Sequence, residues 1–465
     1  MGEVAVESNS PTALQRAVIL MVVVSGFGLP LMLSAVNVAL PSLARELKMT
    51  AVTLSWVPLI FLTTSAATVL AFGRLADLVG RKRIFIIGTV GIIVSSVLLA
   101  LAPNSTVLLV LRGLQGVSAA MIYATQVAML SSVYPPQQRG QAIGMMAASV
   151  YFGLTCGPFI GGWLVEHFGW RAAFLAHLPL SLFVLVYAAP RVTSEWTAEL
   201  AGRFDYAGAL LYAISIAALM WGGTVLPKHF GMTLMIAGGL GVALFFKHQH
   251  RRTDPLFDVS LFYTNRVFAL SSLAALLMYA TTYSTLVLVS LYLQYLKGLK
   301  PAQAGLVMLA QPLMSGLLSP FAGRLSDARV EPRVIASVGM AITGIGLYML
   351  SALKPMTPLS YVTACLLTTG LGFSLFASPN ANAIMSAVDK RFYGAASGAM
   401  ATMRVLGQLC SMGVVAAAFA LTIGPVEIVP DTYPELARAL RLSFTIAAGL
   451  CVPGILCSLA RGKMQ

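Results

Sequence analysis

The chain has 465 residues, of which 58% are hydrophobic and only 10% are charged. Soluble domains contain about 25% charged residues, so this chain has too little charge to cover the surfaces of two or three soluble domains. The net charge of +14 does not indicate nucleic-acid binding, because the basic residues are spread over short gaps between apolar runs rather than gathered in one patch. We therefore expect a membrane protein with no nucleic-acid partner.

Fourteen apolar stretches are long enough to form membrane-spanning helices, since a helix needs about 20 residues to cross the hydrocarbon core. Together they predict an all-α membrane protein with 14 transmembrane helices. The predicted spans cover residues 17–40, 53–72, 84–102, 107–131, 141–165, 172–190, 206–226, 231–247, 267–293, 303–322, 334–353, 359–380, 394–420 and 441–460.

The loops between these stretches differ in their content of lysine and arginine. The side that holds both chain ends carries roughly twice as many of these residues as the opposite side, and cytoplasmic loops are the ones enriched in positive charge. We therefore expect residues 1–16 and 461–465 to be cytoplasmic tails of a multi-pass protein in a bacterial inner membrane.

The sequence shows no pattern typical of an enzyme. The five cysteines lie within apolar runs and lack a metal-binding spacing. No nucleophile, base and orienting group occur together at one predicted depth. We therefore expect no enzyme activity, no metal and no cofactor.

A short motif occurs twice and divides the chain. The sequence GRLAD at 73–77 recurs as GRLSD at 323–327, each time after the second predicted helix of a set of six. Parallel repeats are typical of transporters. We therefore predict a six-helix bundle at 17–190, a linker with two additional helices at 191–265 and a second bundle at 266–460.

The first copy extends to GRLADLVGRKR at 73–83, which we expect to form a tight cytoplasmic turn. Glycine permits backbone conformations that other residues resist, and Asp77 and Arg81 can form an ion pair. We interpret the motif as a conformational latch that forms in one state and breaks in the other; the alternative is a solvated turn. The predicted latch residues are Gly73, Asp77, Gly80, Arg81, Gly323 and Asp327.

A second motif, LRGLQGVSAA at 111–120, places Arg112 and Gln115 inside the fourth span. An arginine within the membrane is costly and usually faces a cavity or a partner. The alternative is a long side chain that reaches the outer interface.

A third motif, GLTCGPFIGG at 153–162, has glycines at i, i+4 and i+8, which form a groove for close helix packing. Its proline removes a backbone donor and bends the helix. We interpret the motif as a packing seam that controls opening between helices, with a generic helix contact as the alternative. Its residues are Gly153, Gly157, Pro158, Gly161 and Gly162.

The three motifs, in this order, resemble those of the major facilitator superfamily. The 14 spans, WRAAF at 170–174 and PLFDVSLF at 255–262 are similar to the fourteen-helix drug:proton antiporter branch. This resemblance implies two six-helix bundles that rock around a central cavity, and export coupled to inward proton flow. It also implies that the turn with Gly73, Asp77 and Arg81 gates the conformations. By the same resemblance, Arg112 assists proton coupling, and Gly157 and Pro158 mark antiport.

The first span departs from the family pattern. Where the family usually has an acidic residue, PLMLSAVNVALP at 30–41 has Met32, and no Asp or Glu lies in the middle of a predicted span. A proton antiporter needs a titrating group within its path, so the resemblance leaves the coupling residue open. His177 in the sixth span is a candidate, because histidine titrates near neutral pH; the alternative is a hydrogen-bonded structural residue.

Arg404 lies near the middle of the thirteenth span, without an acidic residue on that span to pair with it. We interpret it as a cavity residue that contacts an anionic or polar substrate group; the alternative is a hydrogen bond to helix carbonyls. Other polar residues of the spans are either cavity contacts or helix-to-helix hydrogen-bonding groups. The predicted cavity residues are Met32, Ser34, Asn37, Gln126, Tyr279, Tyr283, Gln311, Asn380, Asn382, Arg404 and Gln408.

Three functions are compatible with these features. The first is a monomeric secondary transporter that exports amphiphilic small molecules by alternating access, as multidrug efflux proteins do, driven by a proton gradient. The second is a dedicated exporter of one anionic or zwitterionic metabolite, such as a siderophore or a lipid-like compound, which the unmatched Arg112 and Arg404 favour. The third is a membrane sensor that does not transport. The expected partners are a small-molecule substrate and membrane lipid.

Overall fold

The structure, a computed structural model, describes residues 12–197, 203–257, 259–328, 331–388 and 393–462, and helices account for most of these residues. The α-helices are α1 (Ala13–Glu46), α2 (Ala51–Val79), α3 (Arg81–Ala100), α4 (Ser105–Val133), α5 (Pro136–Phe168), α6 (Arg171–Leu175), α7 (Leu178–Phe183), α8 (Tyr206–Thr224), α9 (His229–His250), α10 (Ser260–Thr264), α11 (Arg266–Thr282), α12 (Ser284–Leu291), α13 (Pro301–Met308), α14 (Ala310–Ala328), α15 (Pro332–Ser351), α16 (Leu359–Ser386), α17 (Tyr393–Thr422) and α18 (Tyr433–Ala460).

Polar residues at the helix starts satisfy backbone N–H groups that have no partner inside the helix. Thr12 and Gln15 form a capping box at the start of α1, and Thr50 caps α2. Asn104 and Asp205 do the same for α4 and α8 through their side-chain oxygens. The helix starts are therefore encoded locally, next to the apolar runs that they begin.

Thirteen helical segments of the described ranges are long and apolar enough to cross a membrane. The remaining predicted span, the tenth in chain order at residues 303–322, is present as two helices, α13 and α14, which are separated at Leu309. Pro312 has no N–H for the Met308 carbonyl, and a proline ring crowds the carbonyl one turn earlier. The prediction of an all-helical membrane protein is confirmed, whereas the count of 14 spans is not.

Two other predicted spans are also interrupted. In the sixth, α6 and α7 are separated at Ala176 and His177, where Pro179 cannot donate to the Leu175 carbonyl. In the ninth, α11 and α12 are separated at Tyr283. Each of these two spans nevertheless remains one helical segment long enough to cross a membrane, because the backbone at Ala176, His177 and Tyr283 keeps right-handed helical dihedral angles.

The helices pack as two groups with contacts between them. In the first group, α1 packs on α5, and α4 packs on α2 and α3; in the second, α16 packs on α14 and α15, and α11 packs on α17 and α18. The groups meet where α5 contacts α13 and where α2 contacts α17. Helices α8 and α9 pack on each other, and α8 also contacts α2 and α17. The bundle boundaries at 17–190, 191–265 and 266–460 remain predictions.

Candidate functional site

The predicted latch residues lie at the junction between α2 and α3. The expectation of a tight turn across the whole motif is wrong for its first part, because residues 73–79 continue α2 and the backbone departs from the helix only at Gly80. Arg81 binds the Asp77 carboxylate, with Nη2 and Nε at 2.8 and 2.9 Å from Oδ1. Arg81 also donates to Ser132 Oγ of α4 at 2.7 Å. The ion pair thus fixes α2, α3 and α4 relative to one another.

Gly80 has a φ of 127°, a conformation that L side chains rarely adopt. A Cβ atom at this position would lie 2.6 Å from the Glu195 carboxyl carbon. Glu195 accepts hydrogen bonds from the backbone N–H groups of Lys82 and Arg83, and Trp196 O accepts from Arg81 N. The segment after the sixth span therefore supplies the α3 cap that Gly80 cannot provide, a role that the sequence motifs did not indicate.

The second copy of the motif lies at the end of α14. A Cβ atom on Gly323 would lie 2.8 Å from Ser378 Oγ of α16, so this glycine marks a close approach of two helices. The side chain of Asp327 lies outside the described residues, and its predicted role in the latch stays a prediction.

Arg112, Gln115 and His177, the predicted coupling residues, belong to one buried chain of polar side chains. Arg112 donates to Val57 O at 3.1 Å and to Gln115 Oε1. Gln115 Nε2 donates to Ser96 Oγ at 2.6 Å, and Ser96 Oγ lies 3.4 Å from His177 Nε2. Arg112 is 1% exposed, so it does not extend to the outer interface, and that alternative is wrong.

Aromatic rings and a thioether complete the surroundings of this chain. The Arg112 guanidinium carbon lies 4.7 Å from the centre of the Phe61 ring and 5.7 Å from that of Phe174, and a cation is attracted by the faces of such rings. Met32, which stands at the position of the family's acidic residue, is fully buried and accepts from Gln115 Nε2 at 3.3 Å from Sδ. The N-terminal group therefore holds a positive charge among neutral partners.

The glycine motif of α5 lies against α1 and α13. If Gly153 carried a Cβ atom, that atom would lie 2.3 Å from Phe27 O. A Cβ atom on Gly157 would lie 2.4 Å from Ser34 Cβ, and one on Gly161 would lie 2.4 Å from Ala35 Cα. At Gly162 it would lie 2.5 Å from Pro301 O of α13. The packing seam therefore joins α1 to α5 within one group, and it also brings α5 against the other group beside Pro158.

The two groups are connected at the end where α1 finishes, which we call the outer end because the charge distribution predicts that it faces away from the cytoplasm. Gln294 Nε2 donates to Val38 O at 2.9 Å, and Ala302 N donates to the Glu166 carboxylate at 3.2 Å. Ala51 N donates to Val426 O at 2.8 Å. Among the described residues, no hydrogen bond or ion pair connects the two groups at the opposite end. This arrangement closes the outer end.

Between the outer end and the latch, aromatic side chains of the two groups meet. The Tyr151 ring of α5 lies 6.1 Å from the Phe373 ring of α16, and the Tyr279 ring lies 5.8 Å from Phe373. The Arg404 guanidinium carbon lies 5.8 Å from the Tyr123 ring centre of α4. All five side chains are half-buried. We call this region the inter-bundle space. The sequence interpretation identified Arg404 and Tyr279 and missed the other three.

The remaining predicted cavity residues lie in different surroundings. Asn380 donates to Ser271 O at 3.0 Å and accepts from Arg461 at 2.9 Å, which is the helix-to-helix bonding considered as the alternative. Ser34, Asn37, Gln126 and Gln311 are buried, whereas Tyr283, Asn382 and Gln408 are half-buried. Buried polar atoms on Ser34, Gln126 and Gln311 have no hydrogen-bond partner. The structure therefore does not bring all the predicted cavity residues together.

A second charged cluster connects α8 and α9 to α2. The Asp205 carboxylate accepts hydrogen bonds from Gly208 N at 3.0 Å and from the Gln249 side chain at 2.9 Å. It also lies 3.0 Å from His248 Nε2. Burial opposes ionisation of Asp205, but these hydrogen bonds outweigh it and lower the pKa of the carboxyl. Asp254, which follows α9, pairs with Arg74 of α2 at 3.2 Å. Among the described residues, no group of three His, Cys, Asp or Glu side chains is placed to hold a metal ion.

The fold and these sites define a polytopic helical transporter. The Major Facilitator Superfamily model matches residues 22–412 and, in a second match, residues 270–461. The chain belongs to this family and is a transporter of small molecules rather than an enzyme; the fourteen-helix drug:proton antiporter branch is consistent with its relatives.

Two relatives and one solved structure illustrate the similarity. The riboflavin transporter RibZ of Clostridioides difficile is 29% identical over 426 residues, which cover 91% of this chain and 92% of that protein. The multidrug resistance protein Stp of Mycobacterium tuberculosis is 31% identical over 437 residues, which cover 92% and 80%. The crystal structure of a peptide transporter POT in complex with sulfate superimposes with a TM-score of 0.68 at 13% identity, covering 96% of this chain and 93% of that chain.

Proposed function

We propose that this protein is a secondary transporter that exports amphiphilic small molecules by alternating access and is coupled to proton influx. We propose further that it has two six-helix bundles with α8 and α9 inserted between them, and that it acts as a monomer in a bacterial inner membrane. The observation that carries the proposal is the inter-bundle space, which aromatic side chains of both groups line beneath a closed outer end. Relatives such as the multidrug resistance protein Stp support the choice of substrate class.

Aromatic walls suit amphiphilic compounds because each ring buries a large apolar area without requiring a directional contact. The half-buried rings of Tyr123, Tyr151 and Phe373 belong to three helices of both groups, so a change in the angle between the groups alters their spacing. In this proposal the site therefore opens to the cytoplasmic side in the described state, and it opens outward when the outer contacts separate.

Proton coupling is tested by transport in proteoliposomes with and without an imposed pH gradient. A membrane potential of 100 mV contributes about 2.3 kcal/mol for each charge moved, which corresponds to a concentration ratio of about 50 at equilibrium. We expect substrate accumulation only with the gradient and its collapse when a protonophore is added. Equal rates with and without the gradient would remove the coupling and leave the transport function intact.

The latch is tested with Asp77→Asn, which removes the negative charge that binds Arg81. We expect transport to fall to less than about one tenth, because the conformation that the ion pair stabilises loses on the order of 1.4 kcal/mol relative to the other. Expression and monodispersity should remain normal. Glu435→Gln is the matched control, since Glu435 pairs with Arg438 at 2.7 Å on the outer surface. Unchanged transport in Asp77→Asn would exclude the latch role.

A dedicated exporter of one anionic or zwitterionic metabolite is the second candidate. Arg404, a cation in the inter-bundle space with no ion pair among the described residues, favours it. Thermal-shift screening separates the two candidates: several unrelated lipophilic compounds stabilise a multidrug transporter, whereas a single chemical class stabilises a dedicated one.

A further inference from the structure

Arg404 lies inside a membrane-spanning helix, whereas most arginines of the molecule lie in loops or near helix ends. It is the twelfth residue of α17 (Tyr393–Thr422) and therefore lies well inside the membrane, where an arginine is costly unless it faces water, a partner or a ligand. Its side chain is half-buried. It forms no ion pair among the described residues, and its guanidinium lies over the Tyr123 ring of the opposite group. Arg404 therefore faces the inter-bundle space.

The walls of this space are aromatic and uncharged. The Phe373 ring packs edge to face with the Tyr151 ring and with the Tyr279 ring, at interplanar angles of 74° and 69°. Because these rings are half-buried, part of each ring surface stays exposed to a flat molecule that enters between the two groups. The geometry of the walls favours a planar ligand.

The acidic side chains that the structure describes lie outside the inter-bundle space. The acids on the long helices stand near helix ends, as Glu46, Asp77 and Glu166 do, and Met32 occupies the position where the family has a carboxylate. A cationic ligand in the inter-bundle space would meet the Arg404 charge without a compensating carboxylate. An anionic group would instead gain a charge-assisted hydrogen bond from a guanidinium, whose planar fork matches carboxylate, sulfonate and phosphate oxygens.

We propose that the inter-bundle space is a binding site for planar aromatic anions, with Arg404 as the group that binds their negative charge. This rests on the proposed transport function and specifies its substrate class. The ring faces supply apolar contact area to the body of the ligand. Arg404 selects the sign of its charge, so the site discriminates against the lipophilic cations that a carboxylate-containing site would take.

The test compares two probes that share one ring system, pyrene-1-sulfonate and pyrenemethylammonium, binding to the purified full-length protein in nanodiscs made of a zwitterionic lipid. We expect the sulfonate to bind at least about tenfold more tightly, which corresponds to about 1.4 kcal/mol. Equal affinities, or tighter binding of the ammonium probe, would overturn the proposal. This comparison needs no variant and is therefore independent of folding defects.

Variants then locate the charge recognition. Arg404→Gln should weaken sulfonate binding about tenfold and leave the ammonium probe unchanged or slightly tighter, and Arg404→Lys should retain part of the preference. Phe373→Leu should weaken both probes by a similar factor. Arg438→Gln on the outer surface is the charge control, and it should change neither. If Arg404→Gln keeps the full sulfonate preference, the assignment of Arg404 is wrong.

Transport assays separate this proposal from the function on which it rests. If proteoliposomes transport cationic and anionic amphiphiles equally well, the protein is an amphiphile exporter and the charge preference fails. If the sulfonate binds with the expected preference and no compound is transported, the transport function fails while the binding site stands.

Discussion

Two intramembrane arginines of this protein lie in opposite surroundings. Arg112 is 1% exposed, donates to Val57 O and Gln115, and has the Phe61 and Phe174 rings beside it. Arg404 is half-buried and contacts one ring of the opposite group. The first charge is satisfied inside one group of helices. The second lies between the groups, where the proposed alternating access would change its partners.

Because the two arginines differ in this way, we expect substitutions near Arg112 to affect stability and substitutions near Arg404 to affect function. The surroundings of Arg112 are packed and bonded, so substitutions there should change the free energy of unfolding. The side chains of the inter-bundle space are half-buried, so substitutions there should change ligand affinity and leave the fold almost unaltered. Matched substitutions in packed surroundings and in half-buried or exposed surroundings should therefore differ in their effects.

The largest difference is expected between two methionines of α1, Met21 and Met32, which are both fully buried. Met21→Glu places a carboxylate in apolar surroundings and should cost about 4 kcal/mol or more of unfolding free energy. Met32→Glu places one beside Gln115 and close to the Arg112 charge, and it should cost at least about 2 kcal/mol less, because the carboxylate gains a donor and an opposite charge. Chemical unfolding in detergent measures both. Equal losses would show that the surroundings of Arg112 do not accept a negative charge.

A smaller effect is expected from glycines on one helix, α5. At Gly157 a Cβ atom would lie 2.4 Å from Ser34 Cβ, whereas at Gly144 it would meet no atom within 4 Å. Gly157→Ala should destabilise the protein by about 1–3 kcal/mol because α1 and α5 must separate. Gly144→Ala should be neutral or slightly stabilising, since alanine favours helix. Thermal unfolding compares them, and similar melting temperatures for the two variants would contradict the role of the seam in packing.

The smallest effect is expected when a phenylalanine is replaced by leucine, once beside Arg112 and once in the inter-bundle space. Phe61→Leu removes the ring beneath Arg112 and should lower stability by about 1–2 kcal/mol through lost burial and cation–π attraction. Phe373→Leu removes a half-buried ring of the inter-bundle space and should lower stability by less than about 1 kcal/mol, while it weakens binding of aromatic ligands. The contrast between the two regions fails if Phe373→Leu proves the more destabilising variant.

The sequence was sufficient to predict the helices and several contacts between side chains and between helices, for identifiable reasons. Apolar runs of about 20 residues locate membrane helices because the bilayer imposes their length. The Asp77–Arg81 pair was predictable because two opposite charges lie close together in sequence on either side of a glycine that allows a turn. The α1–α5 seam was likewise predictable, because glycines spaced by four residues share a face.

Other features depend on contacts between distant segments and could not be predicted. Glu195 follows the sixth span and caps α3, more than a hundred residues earlier in the chain, and no motif marks it. Tyr123, Tyr151 and Phe373 have no distinctive local pattern, so their common location appears only when the two groups of helices are packed. The break between α13 and α14 could have been suspected from Pro312, whereas the break at Tyr283 has no proline within it.

The closure of the outer end uses main-chain atoms for much of its bonding. The carbonyl oxygens of Val38 and Val426 accept, and the N–H groups of Ala51 and Ala302 donate. Every residue type except proline carries both a main-chain carbonyl oxygen and a main-chain N–H. These contacts therefore persist when side chains at the four positions are replaced. Substitutions at these four positions therefore leave the seal between the two groups in place, whereas replacing Gln294 or Glu166 removes the side-chain half of a contact.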